Sequence, residues 1–196
     1  GVNILEEKMH KAEQYDILIQ GGNMITMDEN RRLIKNGAIA ISGSDIKEIF
    51  LAEEIPNTIS AKKTINANGK VIIPGLINAH SHLAMTLFRG FSEDLVLYKW
   101  LEKVWKYELS VLNEESVRAG SKLAFAEMLR SGVTCTHDMY WHYMSTIDLA
   151  EEVGFRLISG PPITGIGDPD FDEMIATARS VLERIKDHYF INPIVQ

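Results

Sequence analysis

The chain has 196 residues, 45% apolar and 24% charged, which suffices for one ordinary domain or a small domain with part of a larger one. Its formal net charge of −7 argues against nucleic acid or an anionic membrane as the main partner, since both demand basic surface. Cys135, the single cysteine, excludes an internal disulfide and fits a reducing compartment. Gly1 to Asp16 lacks the apolar core of a signal peptide and no apolar run approaches a membrane span, so a soluble, cytoplasmic protein is expected.

From Tyr15 to about residue 70, short strands alternate with turn residues. Tyr15 to Gln20 alternates, with Ile17 and Ile19 on one face; Gly21-Gly22 then breaks the strand and Met24 to Met27 resumes it. Gly37 to Ile41 and Ile46 to Leu51 are two further strands, parted by the turn-like Ser42-Gly43-Ser44-Asp45. Asn68-Gly69 is a tight-turn signal, because both residues tolerate positive φ. Residues 1–70 are therefore expected to form a small antiparallel β unit.

At Val71 the texture changes to strand, loop, helix, repeated. Val71-Ile72-Ile73 is apolar throughout, as expected of a strand buried on both faces of a parallel sheet. Asn113 is a candidate N-cap with Glu114 and Glu115 in the first turn, for a helix that runs to Ser131 over a stripe of Val117, Ala124 and Met128 and stops at Gly132. Val133 to Thr136 is the next strand. Thr146 to Val153 is a helix closed by Gly154, and Phe155 to Ser159 a third strand. Asp168 to His188 holds a longer helix with Met174, Ala178, Val181, Leu182 and Ile185 inward, and Phe190 to Val195 is a fourth strand. The fold class is α/β: over residues 71–196, either an open sheet or the first half of a β/α barrel, whose complete form needs about 250 residues. The chain would then be truncated, with open strand edges and a tendency to aggregate or to assemble with its missing half.

The chemical signal is Pro74-Gly75-Leu76-Ile77-Asn78-Ala79-His80-Ser81-His82. Residues two apart on a strand project from the same face, so His80 and His82 can aim both imidazoles at one point. Such a pair, at the C-terminal end of a strand where barrel chemistry sits, suits zinc; iron or another divalent ion is also compatible.

The segment from Val71 to Trp100, with that run followed by Met85-Thr86-Leu87-Phe88-Arg89-Gly90 and Glu93-Asp94-Leu95, resembles the metal-dependent amidohydrolase superfamily. The resemblance is closest to its 5-methylthioadenosine/S-adenosylhomocysteine deaminases and chlorohydrolases, and Asp138-Met139-Tyr140 with His142 extends it. It implies a β-sandwich, to which residues 1–70 contribute, followed by a TIM-like (β/α)8 barrel whose first four β/α units are residues 71–196. It implies that His80 and His82 are two of the zinc ligands. The other ligands and the glutamate proton shuttle would lie beyond Gln196. In such enzymes zinc brings the pKa of a water toward neutrality, water attacks the ring carbon bearing the amino group, and ammonia leaves.

Glu108 falls where the family places a glutamate for nucleoside ribose hydroxyls; the alternative is a solvated carboxylate at a helix end. Trp100 and Trp105 are candidates to stack a purine, or else packing residues. His142 either faces the site or is a surface histidine. His137 is expected in the barrel interior, His10 and His188 on the surface, and Arg89 in contact with loop carbonyls, Glu93 or Asp94. Ser159-Gly160-Pro161-Pro162 stands where methylthioadenosine deaminases show an arginine, which disfavours the carboxylate-bearing S-adenosylhomocysteine. No lysine lies between Phe190 and Gln196 to bridge two metals, which favours a single-metal site.

The leading expectation is a zinc-dependent deaminase of a purine nucleoside, such as 5-methylthioadenosine or an adenosine derivative. The alternatives are a triazine- or guanine-type aminohydrolase or chlorohydrolase, and a catalytically incomplete fragment or pseudoenzyme. The expected partners are a small N-heterocycle or nucleoside and further copies of the chain in a homo-oligomer.

Overall fold

The computed structural model describes residues 14–165 and 170–195. It divides into two compact units, Gly1–Pro74 and Gly75–Gln196, each with its own sheet, so the fold is mixed α/β.

The first unit is a five-stranded sheet of β1 (Gln14–Ile25), β2 (Leu33–Ser42), β3 (Asp45–Phe50), β4 (Ser60–Asn66) and β5 (Val71–Ile72). β2 is antiparallel to β1 and β3, but β4 and β5 both pair with β1 in parallel, so the sheet is mixed and not purely antiparallel. Alternation along β2 buries Ala38 and Ala40 with Tyr15, Leu18 and Phe50 in one cluster, and places Ile39 with Met24 and Ile34 in another. The Gly21-Gly22 pair does not end the strand. Gly21 takes φ 88° within a register shift, and a Cβ there would lie 1.9 Å from Asn68 Oδ1, so glycine lets β1 bulge and continue. Asn68-Gly69 makes the expected turn, with Gly69 at φ 73° and Lys70 N donating to Ala67 O at 2.9 Å. Val71-Ile72 then joins the first unit's sheet, which moves the boundary between units from residue 70 to Pro74 and corrects the assignment of this segment to the parallel sheet.

The second unit carries a parallel sheet in the order β6 (Leu76–Ser81), β7 (Val133–Asp138), β8 (Arg156–Ser159), β9 (Ile191–Pro193). A 3-10 segment, Leu83–Phe88, and the helices α1 (Leu97–Val111) and α2 (Glu114–Arg130) connect β6 to β7. Helices α3 (Tyr143–Val153) and α4 (Phe171–Ile185) make the next two crossovers. The core is Leu83, Phe125, Ile147, Leu149, Leu157, Ile185 and their neighbours, with the Phe125 and Phe155 rings stacked at 4.4 Å. Asn113 caps α2: its Oδ1 accepts from Ser116 N at 2.8 Å, while its own N donates to Ser116 Oγ at 2.9 Å. Gly132 and Gly154, at φ 83° and 69°, follow α2 and α3 as anticipated. α3 begins three residues earlier than the sequence indicated, and α4 begins at Phe171, the expected start at Asp168 lying outside the described residues. β6 lies at the sheet's edge and leaves Leu76 and Ile77 exposed.

Candidate metal site and cavity

β6 carries His80 near its end and delivers His82 to the N-cap of the 3-10 segment. The two imidazoles meet edge to face with centroids 4.9 Å apart. Strand pairing holds this turn from the neighbouring strand: Met139 N donates to Ser81 O at 3.1 Å, and Ser81 Oγ donates to His137 O at 2.8 Å. His82 Nδ1 lies 2.5 Å from the Met139 carbonyl, which can only accept, so Nδ1 is the donor and the neutral ring has its lone pair on Nε2. That is the tautomer a metal-ligating histidine needs, with the second ring nitrogen fixed by a backbone carbonyl. The pair therefore fits a divalent metal as part of a ligand set. Among the described residues no group of three or more His, Cys, Asp or Glu is assembled for a metal.

Behind the pair lies Asp138, fully buried, whose Oδ1 accepts from Leu83 N at 2.6 Å. Burial pushes its carboxyl up to about 7, against the opposing pull of hydrogen bonds from Leu83 N and Ser81. Ser159 Oγ donates to the Asp138 carbonyl at 3.0 Å, so β6, β7 and β8 are tied together at this end of the sheet.

Beside His82 opens a cavity of about 270 Å³. Trp100, Trp105 and Glu108 of α1, Tyr140 and Trp141 after β7, and Pro162 after β8 contribute to its wall. The surface is thus mainly apolar and aromatic with few polar groups, the usual character of a small-molecule pocket. Glu108 is 3% exposed and is not a solvated helix-end carboxylate. It accepts from Tyr140 Oη at 2.6 Å and from Trp141 Nε1 at 2.9 Å. Burial first, and then the adjoining Glu108, push the Tyr140 phenol far above its ordinary pKa.

Both tryptophans named from the sequence, Trp100 and Trp105, line the cavity. His142 does not: it is exposed at the N-cap of α3, at φ 50°. Arg89 donates through its two terminal guanidinium nitrogens to Glu127 of α2, at 3.0 and 2.8 Å, in place of the loop carbonyls, Glu93 or Asp94. His137 sits half-buried in β7 with Nδ1 3.3 Å from Ala79 O, and His188, half-buried, lies 2.9 Å from Glu151. His10 is outside the described residues. Cys135 is half-buried, and burial raises its thiol pKa. Trp141 and the Met139 carbonyl were not legible in the sequence, because nothing local links residues 139–141 to His82 or Glu108.

The chain belongs to the amidohydrolase family, whose profile matches residues 71–192. It is 40% identical over 172 residues to a 5-methylthioadenosine/S-adenosylhomocysteine deaminase of Clostridium tetani, covering 87% of this chain and 39% of that protein. It is 43% identical over 142 residues to a 5'-deoxyadenosine deaminase of Methanosarcina mazei, covering 72% and 32%. Among solved structures it resembles an adenosine deaminase from Xanthomonas campestris with bound zinc, at 30% identity and TM-score 0.84, over 93% of this chain and 43% of that one. An atrazine chlorohydrolase from Arthrobacter aurescens, at 21% identity and TM-score 0.79 over 91% and 46%, shares the fold. The chain spans well under half the length of the curated relatives it matches.

Proposed function

We propose that this chain is the N-terminal portion of a metal-dependent hydrolytic deaminase acting on an uncharged purine nucleoside of the 5-methylthioadenosine or adenosine type. The carrying observation is His82, with its Nδ1 proton committed to Met139 O and its Nε2 available, at the rim of an aromatic cavity. The names of the relatives from Clostridium tetani and Methanosarcina mazei, and of the adenosine deaminase neighbour, support the substrate class. In this reading the second unit is the first half of a (β/α)8 barrel and the first unit belongs to a β-sandwich. The protein is a cytoplasmic homo-oligomer.

His80 and His82 would hold the metal, zinc by preference for imidazole, together with ligands supplied by the rest of the enzyme. When bound, such a metal supplies a water activated for attack at neutral pH. The chain's own residues bind and orient. Trp100 offers a face for the purine, and Glu108, with two of its four lone-pair sites filled by Tyr140 and Trp141, has acceptors left for a ribose hydroxyl. Pro162 lines the cavity and offers no charge to a carboxylate, which favours an uncharged substituent. The same proline favours a second reading, deamination or dechlorination of a triazine- or guanine-like base.

The test uses the full-length, zinc-loaded protein and follows ammonia release from methylthioadenosine, adenosine, S-adenosylhomocysteine and guanine, and chloride release from a chlorotriazine. Turnover of methylthioadenosine or adenosine in preference to S-adenosylhomocysteine is expected. No turnover of any adenosine derivative refutes the leading reading, and a full-length protein that neither binds zinc nor turns over any of the compounds favours a pseudoenzyme. His80→Ala should abolish stoichiometric zinc; unchanged metal content would show that the pair is not a ligand set.

A further inference from the structure

A carboxylate that is 3% exposed is costly to bury unless donors surround it, and Glu108 has two. Those donors, Tyr140 and Trp141, are consecutive residues of the loop that leaves β7. The residue just before them, Met139, carries the carbonyl that receives the His82 Nδ1 proton, and the Tyr140 ring lies 6.1 Å from the His82 ring. The loop is therefore pinned at two points. Met139 N holds it to Ser81 O on β6, and Glu108 reaches from α1 to hold its next two side chains.

We propose that Glu108 is a positioning residue for the metal-binding histidine: by fixing Tyr140 and Trp141 it sets the Met139 carbonyl, which in turn holds His82 in the tautomer that presents Nε2. This rests on the reading of His80 and His82 as metal ligands, and it gives Glu108 a task besides any contact with substrate. The chemistry calls for a carboxylate. The carboxylate accepts from both side chains at once; because Trp Nε1–H can never accept, a glutamine oxygen would have to stay on Trp141, and the Tyr140 bond would have to be lost or reversed, with the amide N–H donating to the phenol oxygen.

The test measures zinc affinity of the full-length protein by chelator competition, alongside thermal melts and steady-state kinetics, for Glu108→Gln, Tyr140→Phe, Trp141→Phe and the Glu108→Gln/Tyr140→Phe double variant. Each single variant should weaken zinc binding by about 10-fold, the scale of losing a hydrogen bond that orients a ligand. The double variant should be no weaker than Glu108→Gln, because both changes remove the bond that Tyr140 donates to the carboxylate. If Glu108→Gln fails to fold, the Tyr140 and Trp141 variants, which leave the carboxylate in place and remove one bond each, decide the matter. Unchanged zinc affinity in the folded variants, with a raised KM for nucleoside in Glu108→Gln, assigns the carboxylate to substrate alone and overturns the proposal. His80→Ala separates the two layers: full zinc retention there sinks the metal reading itself, whereas zinc loss there with intact affinity in the Glu108, Tyr140 and Trp141 variants sinks only the positioning role.

Discussion

Gly120 allows a sharp test of how the His82 turn is supported. It lies in α2, buried, where the helix meets the 3-10 segment that begins immediately after His82. An added Cβ would lie 2.8 Å from Ala84 O, 2.9 Å from Ala84 Cα and 3.0 Å from Leu87 Cγ. Thr86 Oγ1 also donates to Gly120 O at 2.8 Å, so the two segments are bonded as well as packed. In an exposed helix interior, Gly→Ala would stabilise by about 1 kcal/mol through helix propensity. Here the obstructing atoms are mostly backbone, which cannot rotate aside, so the overpacking cost belongs near the upper end of the usual range, about 3 kcal/mol. Steric cost wins, and Gly120→Ala should lose about 2 kcal/mol net, a drop of roughly 4–8 °C in Tm for a domain of this size. Because the displaced segment starts at Leu83, zinc affinity should fall too. The assay is a thermal melt with chelator-competed zinc binding, using Lys122→Ala on the exposed face of α2 as the control. A Gly120→Ala protein that melts at or above the wild-type temperature and binds zinc normally would refute the close-approach argument.

Asp138 gives a pH signature. Its folded pKa of about 7 lies above the ordinary carboxylate value, so the native state holds a proton that the unfolded chain releases. Metal-free wild type should therefore lose stability as pH rises from about 4 through 7, and Asp138→Asn should remove most of that slope in urea melts. Parallel stability–pH curves for the two proteins would rule this out. Asn113→Ala removes the side-chain half of the α2 cap, the acceptor for Ser116 N, and should cost about 1 kcal/mol of stability in denaturant melts, with zinc stoichiometry retained. A change below about 0.3 kcal/mol would mean that water replaces the cap without penalty.

What could be read in the chain was whatever is encoded locally. The Asn113 cap, the Gly132 and Gly154 stops and the Asn68-Gly69 turn depend on backbone geometry a few residues long, and each lies where the sequence placed it. The inward face of α4 followed from a helical period. The strand spacing of His80 and His82 needs only the pleat, and their rings do converge. The failures share one cause. Whether Gly21 ends or bends β1, whether β4 runs parallel, and which sheet receives Val71-Ile72 depend on partners distant in sequence, and period alone does not name the partner.

The composition, the chain order of elements and the histidine pair with its family resemblance were thus determined by the sequence alone. Tertiary structure decided how the pair is equipped. The proton on His82 is placed by a carbonyl 57 residues away, and Glu108 is turned from a candidate surface carboxylate into a buried acceptor by side chains 32 and 33 residues away. Arg89 likewise finds Glu127 across the unit and not its neighbours in the loop. Hydrogen bonds of this reach form only once the parallel strands have brought their C-terminal ends together, and no local pattern of residues encodes them.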